Sequence, residues 1–352
     1  MEHRFNYQWT LADAKFTKDK GKVFSCFACG GGSTMGYKLA GFDVVGHNDI
    51  DKRMTEVYRA NHNPKYTFLE SITTFAKRKD LPKELYNLDI LDGSPPCSSF
   101  SMAGNREKDW GKEKKFKEGQ TEQVLDTLFF DFIDLAKELQ PKVIVAENVS
   151  GMLMGKAKEY VKKIYTEFKK SGYDLKIKPY LLDASNMGVP QKRKRVFFIA
   201  LRKDLSHNFN EYIDMFQTAP KLNLKFTEKN IYFKDVQDIN INRAKLPKSD
   251  FKHWDNSNKN GRSFETKNKT KFGFFYKALG NLVCSTIDTS SRYAIEESKH
   301  LLSDSEFIKV GSFPLDYNFI KNNPQYLIGM SVPPIMIAQI STEIYNQWLK
   351  HI

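Results

Sequence analysis

The first half of the chain alternates short apolar runs with stretches in which apolar residues recur at helical spacing. Continuous runs such as VIVA at 143–146 are typical of strands buried on both faces of a parallel sheet. Apolar residues from Val124 to Leu139 recur at intervals of three and four and predict a helix. Further strands are predicted at residues 23–27, 42–49, 88–91 and 195–201. This alternation predicts an α/β domain with a doubly wound, mostly parallel sheet.

The pattern changes after residue 202, where clear periodicity is lost. Residues 203–277 carry 15 lysines and arginines against 9 acidic residues. We therefore predict three segments: an α/β domain at 1–202, a smaller loop-rich domain at 203–285, and a return segment at 286–352. The return segment ends in a helix with one apolar face, predicted from the spacing of Ile337, Ile340, Ile344 and Trp348.

Composition narrows the class of protein. The 352 residues are 40% hydrophobic and carry a net charge of +13, which fits a nucleic-acid partner and equally a lysine-rich surface. The start of the chain lacks the apolar core of a secretory signal, and no apolar run reaches about 18 residues, so we expect a cytoplasmic protein without a membrane partner. Cys26 and Cys29 form a CxxC without a second pair, so we expect no metal site.

Two sequence features point to a nucleotide-like ligand. Gly30, Gly31 and Gly32 follow the first strand, where glycines let a ligand approach the backbone. Asp49 ends the second strand about 20 residues later, where a carboxylate can bind a ribose hydroxyl. The full G-x-G-x-x-G pattern is not met, so NAD and S-adenosylmethionine both remain open.

Reactive side chains gather at the predicted strand ends. Cys97 follows two prolines that must end a strand, Glu147 follows VIVA, and Arg193 and Arg195 flank the start of the last strand. A thiol near arginines has more of its nucleophilic thiolate form, and a glutamate in the same crevice can hold or deliver a proton. The same residues taken singly could be a buried cysteine, a turn and a basic surface cluster.

Several motifs in order carry a family resemblance. GSPPCSSFSMAGN at 93–105, AENVSG at 146–151 and VPQKRKRVFFIALR at 189–202 follow the glycine loop and precede IGMSVPP at 328–334. Together they resemble the DNA cytosine-5 methyltransferases of the bacterial or phage restriction-modification type. The resemblance implies a Rossmann-like, S-adenosylmethionine-dependent fold with a target-recognition domain, here 203–285, and a last helix that completes the catalytic domain.

The resemblance also implies roles for the strand-end residues. Cys97 would attack C6 of a flipped-out cytosine, so that C5 can accept a methyl group. Glu147 would bind N3 and the exocyclic amine, and Asn148 would help to place that loop. Arg195 would contact O2 of the base, with Arg193 supporting the pocket.

For the cofactor S-adenosylmethionine, the resemblance implies a second set of residues. Phe27 would pack on it, the three glycines would line it, and Asp49 would hold the ribose. The residues that complete this predicted pocket are Ile50 and Ile72 beside the adenine, and Ser331 and Val332 from the last motif. Ser98–Lys117 would form a mobile loop that closes on DNA. Ser25 stands where the family often has aspartate, and Met330 where it usually has asparagine.

The implied partners are double-stranded DNA and a cognate restriction endonuclease, for a monomeric protein associated with the bacterial nucleoid. Three alternatives stay open at this point. One is a tRNA cytosine-5 methyltransferase with the same core, and another is a DNA-binding module without turnover. The third is an NAD-dependent enzyme.

Overall fold

The chain forms two compact units in a computed structural model. The structure describes residues 3–96, 113–114, 123–124, 127–155, 157–175, 178–212, 220–251, 254 and 275–352. The first unit comprises Met1–Ala14, Asp183–Arg193 and Phe226–Ile337, and the second comprises Lys15–Leu182, Lys194–Lys225 and Ala338–Ile352. A compact unit need not coincide with a functional domain, so the target-recognition domain at 203–285 stays a prediction.

Twelve strands and eight α-helices are defined in the described residues. The strands are β1 Lys22–Cys26, β2 Asp43–Asp49, β3 Tyr66–Leu69, β4 Ile90–Gly93, β5 Glu113–Lys114, β6 Gln123–Val124, β7 Val143–Val149, β8 Tyr173–Leu175, β9 Tyr180–Asp183, β10 Lys194–Arg202, β11 Phe275–Ala278 and β12 Arg292–Ile295. The helices are α1 Gly32–Leu39, α2 Lys52–His62, α3 Ile72–Phe75, α4 Leu128–Leu139, α5 Ala157–Lys170, α6 Asp304–Val310, α7 Pro324–Met330 and α8 Pro334–Gln347. Short 3₁₀ helices lie at Lys83–Tyr86, Ser150–Leu153, Ala184–Asn186, Phe233–Asp235, Lys248–Asp250 and Leu349–His351. The helical stretch Lys203–Tyr212 is interrupted by a kink at Phe209, whose backbone is not helical.

The second unit contains one eight-stranded sheet in the order β3-β2-β1-β4-β7-β10-β8, with β9 paired to β10. The strands from β3 to β7 run parallel, and β10 runs antiparallel to both of its neighbours β7 and β8. The doubly wound, mostly parallel sheet is therefore confirmed. Strand order reverses between β1 and β4, and ligands of such sheets bind outside the carboxyl ends of the strands at this switch point.

Two predicted elements differ from the structure. The strand predicted at 88–91 is β4, two residues later, because Leu88 contributes to the core before the strand begins. The helix predicted from Val124 begins only at Leu128, and Val124 pairs with Glu113 in the small β5–β6 ladder. Apolar spacing alone could not place this boundary, because it does not show that residues 123–124 pair with residues 113–114.

The core of the second unit lies between the sheet and its helices. Helix α4 buries one apolar stripe against the strands, and Phe132 and Phe129 on that stripe are at most 1% exposed. Phe129 meets Phe198 of β10 edge to face, with ring centroids 5.5 Å apart. Burial of each such side chain contributes about 1.5–3 kcal/mol, so this stripe holds the sheet that carries the strand ends.

The first unit is closed by its N-terminal segment. The indole Nε1 of the buried Trp9 donates to the Ser312 carbonyl at 3.0 Å, and the Leu315 N–H donates to the Trp9 carbonyl at 2.8 Å. The backbone N–H groups of Leu11 and Ala12 donate to the carboxylate of one aspartate in the same unit, Asp316. The segment is therefore held by directed bonds as well as by the burial of Trp9.

One helical stretch of the described chain, residues 324–351, is long and apolar enough to cross a membrane by length and composition. Its most apolar window is 78% buried inside the protein, as the core helix of a soluble fold would be. The stretch consists of α7 and α8, separated by residues 331–333.

Candidate active site

The carboxyl end of β7 presents an ion pair. Glu147 lies within β7, two residues before Val149. Strand β10 runs antiparallel to β7, and Arg195 pairs in register with Val149. The Arg195 Nε lies 2.9 Å from Glu147 Oε1, and the two side chains are 15% and 11% exposed. Because β10 is antiparallel, the start of one strand meets the end of the other, and the two predicted site residues come together.

Asn148 connects this strand to the segment before Cys97. Its Nδ2 donates to the carbonyl of Pro95 at 3.0 Å, and its Oδ1 accepts from the Val149 N–H at 2.8 Å. The side chain is 4% exposed, so both ends of the amide are satisfied inside the protein. Cys97 itself and most of the predicted mobile loop Ser98–Lys117 lie outside the described residues.

Arg193 is placed differently from Arg195. It belongs to the first unit and is 2% exposed. Its guanidinium donates to the backbone carbonyls of Ile287 at 2.9 Å and Gly329 at 2.8 Å. These bonds tie three chain segments of that unit together, and the predicted contribution of Arg193 to the base pocket stays a prediction.

The turn after β1 contains three residues with left-handed backbone angles. Phe27 and Cys29 both adopt positive φ angles, 52° and 49°, and Gly31 has φ 91° at the N-cap of α1. A Cβ on Gly31 would lie 2.2 Å from Nε2 of His62, so this position excludes any side chain. The ring of Phe27 is partly buried and packs against Phe132, with centroids 6.4 Å apart. Residues 27–32, which we call the cofactor loop, are thereby fixed at the end of β1.

Asp49 closes the cofactor loop from β2. Its Oδ2 accepts from the Cys29 N–H at 2.7 Å and its Oδ1 accepts from the Asp51 N–H at 2.8 Å. Burial raises the pKa of Asp49 to about 6, while these backbone bonds oppose the rise and the charge of Asp51 adds to it. An ionised carboxylate can accept about four hydrogen bonds, so Asp49 can accept from a ligand hydroxyl in addition to its backbone bonds from Cys29, Ile50 and Asp51, which fits the predicted ribose contact.

The remaining predicted cofactor residues are distributed between the two units. Ile50 follows β2 and is partly buried, and Ile72 begins α3 with 2% exposure. Ser331 and Val332 lie in the first unit between α7 and α8, and the Ser331 hydroxyl donates to the Leu327 carbonyl at 2.8 Å. The contacts of these four residues with a cofactor stay predictions.

Sequence reasoning missed a buried carboxyl on β4. Asp92 is 2% exposed and accepts hydrogen bonds from the Ser25 hydroxyl at 2.7 Å and the Tyr37 hydroxyl at 3.0 Å. We call Asp92, Ser25 and Tyr37 the carboxyl–hydroxyl cluster. Its only signal in the sequence was an acidic residue in an apolar strand, because the pairing of Ser25 with Asp92 appears only in the register of β1 with β4.

The sequence is similar to known proteins over most of its length. Residues 21–346 match the family described as C-5 cytosine-specific DNA methylase. The Type II methyltransferase M.NgoPII of Neisseria gonorrhoeae is 29% identical over 350 residues, which cover 92% of this chain and 95% of that protein. M.FnuDI of Fusobacterium nucleatum, also named a Type II methyltransferase, is 37% identical over 185 residues, 53% of this chain and about half (48%) of its own length.

The fold has a solved counterpart as well. The crystal structure of S. pombe Dnmt2 methyltransferase superposes with a TM-score of 0.62 at 17% identity, covering 93% of this chain and 99% of that one. At this identity the likeness concerns the fold alone. The match over residues 21–346 decides the family. The chain therefore belongs to the C-5 cytosine-specific DNA methylase family, and it is a DNA cytosine methyltransferase.

Proposed function

We propose that this enzyme transfers a methyl group from S-adenosylmethionine to C5 of a flipped-out cytosine in a specific sequence of double-stranded DNA. The transfer would pass through a covalent bond between Cys97 and C6 of the base. The observation that carries the proposal is the 2.9 Å ion pair of Glu147 and Arg195 at the carboxyl end of β7, in a member of this family.

The chemistry requires a nucleophile and an acid partner together. C6 of cytosine is a weak electrophile, so the Cys97 thiolate adds there only if charge on the ring is stabilised as the bond forms. Glu147 would hold a proton at N3, Arg195 would bind O2, and the electron pair would move to C5. C5 would use this electron pair to bond the methyl group, and the cofactor would leave as a neutral thioether. Once solvent has taken the proton from C5, the electron pair of the broken C5–H bond would re-form the C5–C6 double bond and expel the Cys97 sulfur as a thiolate. Because C5 and C6 are covered in a stacked duplex, the base must first leave the helix.

A hydrogen bond from a side chain to the backbone would help to organise this step. Asn148 bonds the Pro95 carbonyl at 3.0 Å, two residues before Cys97, from the position next to Glu147. One amide would thus set the nucleophile segment relative to the carboxylate. The glutamate is itself oriented by Arg195, so the three groups would approach the base as one arrangement.

The cofactor loop and Asp49 fit S-adenosylmethionine. When bound, this cofactor supplies a methyl group on a positively charged sulfur. Asp49 would accept a hydrogen bond from the ribose beside its backbone bonds, and Phe27 would pack against the ligand. Ile50 and Ile72, together with Ser331 and Val332, would complete the pocket as predicted from the sequence.

We place the enzyme in a restriction-modification system, because its relatives are named as Type II methyltransferases. A companion endonuclease would recognise the same sequence, and residues 203–285 would supply the contacts to bases while lysines bind phosphate. A monomeric state and a cytoplasmic location associated with the nucleoid remain predictions from the sequence.

The experiment starts with methylation profiling of DNA from cells that express the protein, which gives the target sequence. A duplex with 5-fluorocytosine at that site should then trap the wild-type protein as a covalent complex that survives denaturing electrophoresis. Cys97→Ala should form no complex. The matched control is Cys284→Ala, because burial raises the pKa of Cys284 to about 12 and leaves it without thiolate. Trapping by Cys97→Ala, or its failure in the wild type, would contradict the mechanism.

A further inference from the structure

The carboxyl–hydroxyl cluster holds an acid for which the described residues provide no ion-pair partner. Both hydrogen bonds to Asp92 come from neutral hydroxyls, those of Ser25 and Tyr37. Within the described part of the chain, no lysine, arginine or histidine forms an ion pair with Asp92. Buried carboxylates are normally paired with a cation, because taking the charge out of water is costly. Among the described residues, the ionised form of Asp92 is therefore stabilised by two neutral hydroxyls and by no cation.

The surroundings of Asp92 further disfavour its ionised form. Burial raises its pKa to about 7, the negative charge of Glu147 on the neighbouring strand adds to the rise, and the two hydroxyl bonds oppose it. Burial raises the pKa of Cys26, Tyr37 and Tyr58, and the charge of Asp92 adds to each rise. The titratable groups that act on Asp92 or respond to it are Cys26 on β1, Tyr37 on α1, Tyr58 on α2 and Glu147 on β7. None of these groups is a cation.

The position of the cluster relates it to the cofactor loop. Ser25 lies two residues before Phe27 on β1, and Tyr37 lies on α1, which begins at the last residue of the loop, Gly32. Asp92 thus contacts both elements between which the loop runs. A ligand with a positive charge, held by the loop, would supply the counter-charge that Asp92 lacks.

We propose that Asp92 makes the enzyme favour the cationic methyl donor over the neutral product of the transfer. This inference rests on the use of S-adenosylmethionine proposed above. Loss of the methyl group converts the sulfonium to a neutral thioether, so S-adenosylhomocysteine offers Asp92 no counter-charge. Binding of the donor near neutral pH would drive a proton from Asp92 to the solvent, and after transfer Asp92 would take a proton back. The product would thereby be released more readily than the donor.

The effect has a defined sign and size. Asp92 is ionised at higher pH, so affinity for S-adenosylmethionine relative to S-adenosylhomocysteine should rise as the pH rises toward 7.5. The ratio should change by roughly tenfold for each pKa unit by which the cation lowers the pKa of Asp92. Both ligands carry the same ribose, so the contribution of Asp49 to ribose binding cancels in the ratio.

The test is isothermal titration calorimetry with both ligands between pH 5.5 and 7.5, in two buffers that differ in ionisation enthalpy. Wild type should release a fraction of a proton on binding the donor that it does not release on binding the product. Asp92→Asn should bind both ligands and lose this difference in proton release. Titration of the ligands' own amines occurs with both proteins, so it cancels when the variant is compared with the wild type. The matched control is Asp89→Asn, an acid three residues earlier that is paired with Lys142 at 2.9 Å and should keep the wild-type difference.

A second variant, Tyr37→Phe, tests the inference even if Asp92→Asn fails to fold. Tyr37→Phe removes one of the two bonds that favour the ionised form, so the pH at which the affinity ratio changes should move upward. Equal pH dependence in the wild type and Asp92→Asn, or no shift in Tyr37→Phe, would overturn the inference and leave the proposed function standing. Absence of S-adenosylmethionine binding by the wild type at every pH would overturn both.

Discussion

Burying the Asp92 carboxylate is costly, so we predict that Asp92→Asn gains stability over the wild type as the pH rises. The quantity compared is the free energy of unfolding of the two ligand-free proteins at the same pH. The folded pKa of about 7 lies above the ordinary value of 3.8. The folded protein therefore holds this proton more tightly than the unfolded chain does. The stability contribution is complete below about pH 4 and is lost as the pH rises through 7. Asp92→Asn carries no titrating group at this position, so its stability should not fall for this reason as the pH rises.

The magnitude follows from the shift. At 1.36 kcal/mol for each pKa unit, the rise from 3.8 to about 7 corresponds to an upper limit of about 4 kcal/mol. Between pH 5 and pH 8, the free energy of unfolding of Asp92→Asn should therefore gain roughly 3 kcal/mol on that of the wild type. Asp49 titrates in both proteins, so its contribution cancels in the difference.

Urea unfolding followed by circular dichroism at pH 5 and pH 8, without ligand, measures this difference. Asp89→Asn serves as the control, because Lys142 already balances the charge of Asp89 and no gain at pH 8 is expected. A difference between variant and wild type that is equal at the two pH values would refute the reasoning. So would a difference that is larger at pH 5.

Three further variants test features of the two units. Gly31→Ala should weaken S-adenosylmethionine binding more than tenfold and cost about 1–3 kcal/mol of stability, because the added Cβ meets His62 and φ is 91°; calorimetry with unchanged affinity would contradict this. Trp9→Ala should destabilise the first unit by about 3–5 kcal/mol, since it loses a buried indole and the bond to Ser312, and protease resistance of residues 226–337 should fall. Arg193→Lys should lower the free energy of unfolding by about 2–3 kcal/mol, because a lysine lacks the planar guanidinium that bonds both carbonyls at once. An unchanged melting temperature would contradict this structural role of Arg193.

Much of the fold could be predicted from the sequence because its signals are local. The apolar run at 143–146 and the glycines after β1 each depend on neighbouring residues, and the structure has a strand and a tight turn at these places. Glu147 and Arg195 are both predicted site residues, and the antiparallel pairing of β10 with β7 brings them together, while their roles stay predictions. That pairing direction was not visible in the sequence, because it depends on which strands become neighbours.

The features that escaped prediction depend on distant contacts. In the sequence, Asp92 is only an acidic residue in an apolar strand, and its register with Ser25 and its bonds to two hydroxyls appear only in the structure. Arg193 and Arg195 look alike in QKRKR, yet one binds backbone carbonyls and the other a carboxylate. Residue type and spacing cannot separate these roles, because tertiary packing decides what a buried guanidinium meets.

The two units share the chain in an interleaved way that limits how the protein can be divided. Residues 1–14 pack in the unit that contains residues 226–337, whereas residues 338–352 pack in the unit that begins at residue 15. No single cut of the polypeptide leaves both units whole. An isolated fragment 1–202 would lack α8 and leave Trp9 without Ser312, so fragments made to study either half would start from an incomplete core.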